Sequence, residues 1–235
     1  MIDPPRPAPR CRVAVCSHGR VRQWSVVVPA KRLAVAKTRL RPLTAGGAHD
    51  DWVLALLADT VAAASASPAV AAVIVVTDEP AAAAAVRELG ATTVADEPDR
   101  GLNPALAHGA RSAATSAVAA LSSDLPALRA EELTAALAAA ERAPRCFVAD
   151  AAGTGTTLLT AVGTDLAPRF GRDSARAHRE SGAVPLTGDW PGLTRDVDTA
   201  DDLAAAAALG LGPRTGELAA GLVLRPPAVH PCAAP

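Results

Sequence analysis

Residues 71–97 read "AAVIVVTDEPAAAAAVRELGATTVADE". A β-branched run ends at Val76, a polar turn covers Asp78–Pro80, and an Ala-rich stretch opens at Pro80 and closes at Gly90. Pro suits a first helical turn because the N–H it lacks has no partner there, and Gly suits the position just past a helix end. A second short strand, "ATTVADE", follows. Strand, helix and strand in so short a span make a crossover unit, which builds a parallel sheet covered by helices.

The alternation continues outward. "WSVVVPA" (24–30) is a first strand and "DDWVLALLADTVAAASAS" (50–67) a helix with Asp in its first turn. "NPALAHGARSAA" (103–114) is helical, "AVAALSSDLPAL" (117–128) is a strand with a polar end, and "RAEELTAALAAAERA" (129–143) is a helix. "RCFVAD" (145–150) and "TTLLTAVG" (156–163) are strands; "SARAHRESG" (174–182) and "TADDLAAAAALG" (199–210) are the last helices. The predicted fold is one α/β domain over residues 24–212, a three-layer α/β/α arrangement around a mostly parallel mixed sheet. Residues 1–23, rich in Pro and Arg, are expected to be a disordered extension or the result of a misplaced start. Residues 213–235 are expected to be a loose tail.

The 235 residues are half hydrophobic, with 2% aromatics and no Tyr, so the core must be built from small aliphatics. The 23 basic and 24 acidic residues leave a net charge of −1. Nothing global points to nucleic acid or to an anionic membrane. The four cysteines (11, 16, 146 and 232) form no CxxC pair, which suggests a reducing, cytoplasmic setting. Residues 60–77 carry no charge but are broken by Pro68, so no membrane span is expected.

In such folds ligands gather beyond the carboxyl ends of the strands. After the first strand come Lys31, Arg32, Lys37, Arg39 and Arg41. Asp78 follows the second, Asp96 and "DRGLN" the third, Asp124 the fourth and "DAAGTGTT" the fifth. Cations, carboxylates and glycine turns at one edge are the layout of a metal-assisted phosphate site. There is no GxGxxG, and "GGAHD" (46–50) is no P-loop. In "RDVDT", Asp196 and Asp198 are two apart, which puts both on one face of an extended segment. Two such charges call for a cation, and an oxygen-liganded divalent metal is the natural one. The plain alternative is a helix cap, since Thr199 and Asp202 have capping-box spacing. "GTGTT" (153–157) and "FGRDSARAH" (170–178) offer N–H groups and hydroxyls for phosphate, or an ordinary turn and an ordinary N-cap at Ser174. His108 and His178 are read as structural.

"VVPAKRLAVAKTRL", "DRGLNPAL", "SSDLPAL", "DAAGTGTTLL", "RFGRDSARAH" and "PGLTRDVDTADDL" occur in that order. Together they resemble the guanylyltransferases of coenzyme F-420 biosynthesis over roughly residues 24–210. Archaeal members of that family are described as 2-phospho-L-lactate guanylyltransferases and actinobacterial ones as phosphoenolpyruvate guanylyltransferases. The resemblance implies a nucleotide-diphosphosugar-transferase-like fold. It implies Asp124, Asp196 and Asp198 as catalytic metal ligands for Mg2+, and Thr156, Gly171 and Ser174 as the phosphoenolpyruvate site. It gives Lys31, Arg32, Lys37 and Arg39 to the nucleotide triphosphate and Asn103 to its base. Ser122 departs from the bulkier apolar residue the pattern leads one to expect, without removing the ligand.

The expected reaction is GMP transfer from GTP to phosphoenolpyruvate, or to 2-phospho-L-lactate, with the product passed to the next enzyme of the pathway. The alternatives are a sugar-phosphate or molybdenum-cofactor-type nucleotidyltransferase and a nucleotide-binding regulator without catalysis.

Overall fold

The computed structural model describes residues 22–30, 40, 49–97, 100–220 and 222. The elements in chain order are β1 (Trp24–Pro29), α1 (His49–Ala66), β2 (Val70–Val76), α2 (Pro80–Arg87), β3 (Thr92–Val94), α3 (Leu102–Arg111), β4 (Ala117–Leu121) and α4 (Ala130–Ala140). Then come β5 (Arg145–Ala149), β6 (Thr156–Val162), α5 (Ser174–Glu180), β7 (Val184–Pro185), α6 (Pro191–Thr194), α7 (Ala200–Leu209) and α8 (Pro213–Ala219). The described strands form one seven-stranded sheet in the order β3-β2-β1-β4-β6-β5-β7. β1 is parallel to β2 and β4, β2 to β3, and β5 to β7. β6 runs antiparallel to both of its neighbours, β4 and β5. This is the expected mostly parallel mixed sheet.

The layers follow from the unbroken valine run of β1. Val26 and Val28 join Leu57 and Val61 of α1 and Leu133 and Leu137 of α4 in one cluster. Val27 points to the other face, with Leu106 of α3, Phe147 of β5 and Ala175 of α5. All three valines are fully buried. A strand covered on both faces needs apolar residues at every position, and each such Val contributes about 1.5–3 kcal/mol. Small residues replace aromatics by letting helices sit close. A Cβ on Gly109 of α3 would come within 2.6 Å of Val27 and Val76. A third cluster brings together Trp52 and Leu56 of α1, Val197, and Leu203 of α7.

The domain does not stop at 212. Over 213–219 the expected loose tail is corrected to a helix, α8, lying along α1. Asp59 of α1 is buried and accepts hydrogen bonds from the N–H groups of Arg214 (3.2 Å) and Thr215 (2.7 Å). A carboxylate at a helix N-terminus satisfies N–H groups left without intrahelical partners. The partners are 155 and 156 positions apart, so local sequence pattern cannot reveal them. The two-residue β7 and four-residue α6 were likewise too short to leave a periodic signal. Residues 1–21, 221 and 223–235 of the two expected tails lie outside the described residues. Among the described residues no helix is long and apolar enough to cross a membrane.

Candidate active site

The carboxyl ends of β1 to β5 meet at one sheet edge, because those five strands share a direction. β6 runs the other way, so its first residue, Thr156, lies at that same edge. Leu121, the last residue of β4, pairs with Leu158, and Ser122 N–H donates to Thr157 C=O at 2.8 Å. Ser122 thus extends the ladder and delivers Asp124 just beyond it.

Asp124 is fixed through its backbone on both sides. Its carbonyl accepts from Val197 N–H at 3.1 Å. The next N–H, of Leu125, donates to Thr60 Oγ1 of α1 at 2.9 Å, and Thr60 donates onward to Leu56 C=O at 2.8 Å. Val197 is buried, and the half-buried Asp196 and exposed Asp198 flank it. The capping box expected after them is real. Thr199 Oγ1 accepts from Asp202 N–H at 3.2 Å, and Asp202 Oδ2 accepts from Thr199 N–H at 2.9 Å and Asp198 N–H at 3.2 Å. The cap uses Thr199 and Asp202, so it does not account for Asp196.

Asp124 and the Asp196–Asp198 pair are therefore brought to one place by a single backbone bond. Among the described residues no group of three or more His, Cys, Asp or Glu side chains forms a ready-made metal cage. The donors at this edge are carboxylate oxygens. Such a set fits Mg2+, which takes one or two carboxylates and completes its shell with water and phosphate oxygens.

The second half of the site is a hydroxyl pair. Ser174 Oγ donates to Thr156 Oγ1 at 3.1 Å, and both residues are buried. Ser174 is the first residue of α5, but the N-cap is Asp173, in the left-handed region at φ 54. The ordinary-cap alternative for Ser174 therefore does not hold. Gly171 sits in the preceding turn at φ 135, a conformation that L side chains rarely adopt, with open space where a Cβ would be.

His178, one turn along α5 from Ser174, completes the cluster. Its Nδ1 lies 2.9 Å from Thr156 Oγ1, and its Nε2 accepts from Arg169 N–H at 2.9 Å. Its ring contacts Phe170 edge-on at 5.1 Å and Phe147 at 5.9 Å between centroids. Burial, with the nearby Arg145 and Arg169 charges, pushes the imidazole down to about 4. In the sequence this histidine reads as structural. The i, i+4 spacing from Ser174 was the available signal, since it places both on one helix face.

One expectation changes. The "GTG" turn does not present its N–H groups to a ligand. Asp150 carboxylate oxygens accept from Thr154 N–H and Gly155 N–H, each at 2.9 Å, closing the turn on itself. The turn's part is to seat α5, through Ala175 N–H donating to Thr154 C=O at 3.0 Å. Asn103, at the start of α3, was expected to read the base. Its Nδ2 donates to Phe170 C=O (3.0 Å) and its Oδ1 accepts from Phe170 N–H (2.7 Å). An amide paired on both its atoms with one backbone unit clamps the loop that carries Gly171, and Asn103 keeps a second N–H and a second oxygen lone pair beyond that pair. Lys31, Arg32, Lys37 and Arg39 lie outside the described residues.

The fold is shared with nucleotidyltransferases. A protein of Desulfovibrio desulfuricans G20 named for the nucleotide-diphospho-sugar transferases superposes with a TM-score of 0.63 at 16% identity, covering 83% of this chain and 93% of that one. A nucleotidyl transferase from Methanothermobacter thermautotroptrophicus gives 0.60 at 20% identity, covering 81% and 98%. At those identities the likeness concerns the fold alone.

Sequence comparison narrows the class. The chain belongs to the family described as guanylyl transferase CofC like, which matches residues 24–215. It is 71% identical over 206 residues to the phosphoenolpyruvate guanylyltransferase of Geodermatophilus obscurus, covering 86% of this chain and 96% of that protein. It is 56% identical over 208 residues to the protein of the same name in Streptomyces coelicolor, covering 86% and 98%.

Proposed function

We propose that this protein transfers GMP from GTP to the phosphate of phosphoenolpyruvate, giving enolpyruvyl-2-diphospho-5'-guanosine and pyrophosphate for coenzyme F-420 biosynthesis. Near-full-length similarity to two proteins of that name supports the substrates. In this chain the reading is carried by one juxtaposition. Asp124 and the 196–198 loop meet at the end of β4, and β6 brings Thr156 and its partner Ser174 to the same edge.

An acceptor phosphate oxygen attacks the α-phosphorus of GTP. The bond from that phosphorus to the oxygen bridging the β-phosphate breaks, and pyrophosphate leaves with the electron pair. Attacker and target are both anionic, so charge neutralisation and alignment dominate. Asp124, Asp196 and Asp198 would hold Mg2+, which when bound would supply positive charge against the phosphates' negative charge. Thr156 and Ser174 bind the acceptor through their hydroxyls, and Gly171 keeps the adjoining backbone unobstructed. Lys31, Arg32, Lys37 and Arg39 are assigned to the triphosphate. A phosphate oxygen is nucleophilic at neutral pH, so no general base is required.

A cytoplasmic setting, with the product handed to the enzyme that consumes it, belongs to the same proposal. Pyrophosphate release, measured with GTP, ATP, CTP and UTP against each acceptor, tests it. GTP with phosphoenolpyruvate should be fastest. A preference for CTP with a sugar phosphate contradicts the proposal, and a preference for 2-phospho-L-lactate changes the acceptor while leaving the chemistry.

A further inference from the structure

We propose that His178 is a positioning residue that makes the Thr156–Ser174 hydroxyl pair a net hydrogen-bond donor toward an anionic acceptor. This rests on the acceptor-pocket assignment above and gives a role to a side chain outside it.

The protons available to the cluster decide the matter. Arg169 N–H can only donate, so His178 Nε2, 2.9 Å away, must accept and carries no hydrogen. A neutral imidazole then holds its proton on Nδ1. Nδ1 lies 2.9 Å from Thr156 Oγ1, so His178 donates to the threonine. Thr156 and Ser174 together own two hydroxyl protons, and the bond between them, at 3.1 Å, uses one. The imidazole cannot take the other, because the nitrogen facing the pair is already protonated. Whichever way the Ser–Thr bond runs, one hydroxyl proton remains for a group outside the cluster. Neither hydroxyl has a further acceptor among the described residues. The opposite tautomer would accept that proton and close the cluster on itself.

The surroundings hold the tautomer in place. The ring is fully buried between Phe147 and Phe170, and Phe170 is itself clamped by Asn103. The loop 169–171 therefore fixes the imidazole, and the imidazole fixes the hydroxyls. Phosphate and carboxylate oxygens are pure acceptors, so a pair with a guaranteed donor suits them, whereas a closed cluster offers none.

Steady-state kinetics on the full chain with GTP and phosphoenolpyruvate test this through His178→Leu and His178→Gln. Leu keeps bulk without either hydrogen bond. Gln carries an acceptor and a donor on one planar group. His178→Leu should raise KM for phosphoenolpyruvate about tenfold or more, the size of one lost hydrogen bond to a charged group, with KM for GTP unmoved. His178→Gln should recover most of the loss. Histidine 15N shifts of the wild-type protein should show a neutral ring protonated on Nδ1, a readout available even if the Leu variant does not fold. An Nε2–H tautomer, or a folded Leu variant with wild-type KM or with both KM values raised alike, overturns the inference. If Thr156→Val and Ser174→Ala raise the acceptor KM while His178→Leu does not, this inference alone fails. If none of the three does, the acceptor pocket fails with it.

Discussion

The Val197 N–H donates to the carbonyl of Asp124 at 3.1 Å. This bond joins a turn after β4 to a segment seventy-odd residues later, and it brings the carboxylates on the two segments to one edge. Backbone bonds hold both loops, and Asn keeps the size and shape of the Asp it replaces. Asp196→Asn or Asp198→Asn should leave the melting temperature and circular dichroism near wild type. Turnover should fall on the order of a hundredfold, as when one transition-state charge stabiliser is lost. Wild-type turnover in either variant contradicts the assignment.

The same turn depends on Thr60. Replacing its hydroxyl in Thr60→Val leaves the Leu125 N–H without its partner in a buried setting, at a cost of about 1–3 kcal/mol. Thermal melting should show that loss, and Thr60→Ser should restore most of it. Equal stability of Thr60→Val and wild type would mean that the turn is not held from α1.

Ser174→Ala and Thr156→Val address the acceptor. Neither hydroxyl is a helix cap: Asp173 occupies that position before Ser174, and Thr156 lies in β6. KM for phosphoenolpyruvate should rise about ten- to a hundredfold, following the 1.5–3 kcal/mol of a hydrogen bond to a charged group. KM for GTP should hardly change. Parallel increases in both KM values would mean that the two substrates share this pocket.

Acid stability follows from His178. In the fold its imidazole is pushed down to about 4 by burial and by Arg145 and Arg169, against 6.5 ordinarily. Above 6.5 neither the folded nor the unfolded chain binds a proton there, and its contribution is intact. As pH falls from 6.5 toward 4, the unfolded chain takes up a proton that the folded one refuses, so stability is lost across that window. The full effect is on the order of 3 kcal/mol. Denaturation series at several pH values should show a shallower decline for His178→Gln. Identical slopes would mean that the ring titrates normally in the fold.

The layers and the ligand edge were legible because they are written locally. Valine runs, Pro80 and Gly90 mark a crossover unit, and the strand ends are followed by cations, carboxylates or turns. What escaped depends on distant partners. The capping of α8 by Asp59 and the pairing of Asn103 with Phe170 join residues far apart in sequence. The Asp150 clamp on the glycine turn is local, but glycine and hydroxyl residues in a turn suggest an anion site equally well until the N–H groups are traced. His178 escaped because a buried histidine is ordinarily a core residue, and only its two bonded nitrogens distinguish it.

In guanylyl transfer the α-phosphate of GTP goes to the acceptor. Incubation of the protein with Mg2+, phosphoenolpyruvate and GTP labelled with 32P at either the α or the γ position tests it directly. The α label should appear in an adduct of phosphoenolpyruvate and GMP, and the γ label only in pyrophosphate. An α label that stays in GTP or free GMP, or a γ label on the acceptor, would contradict the account.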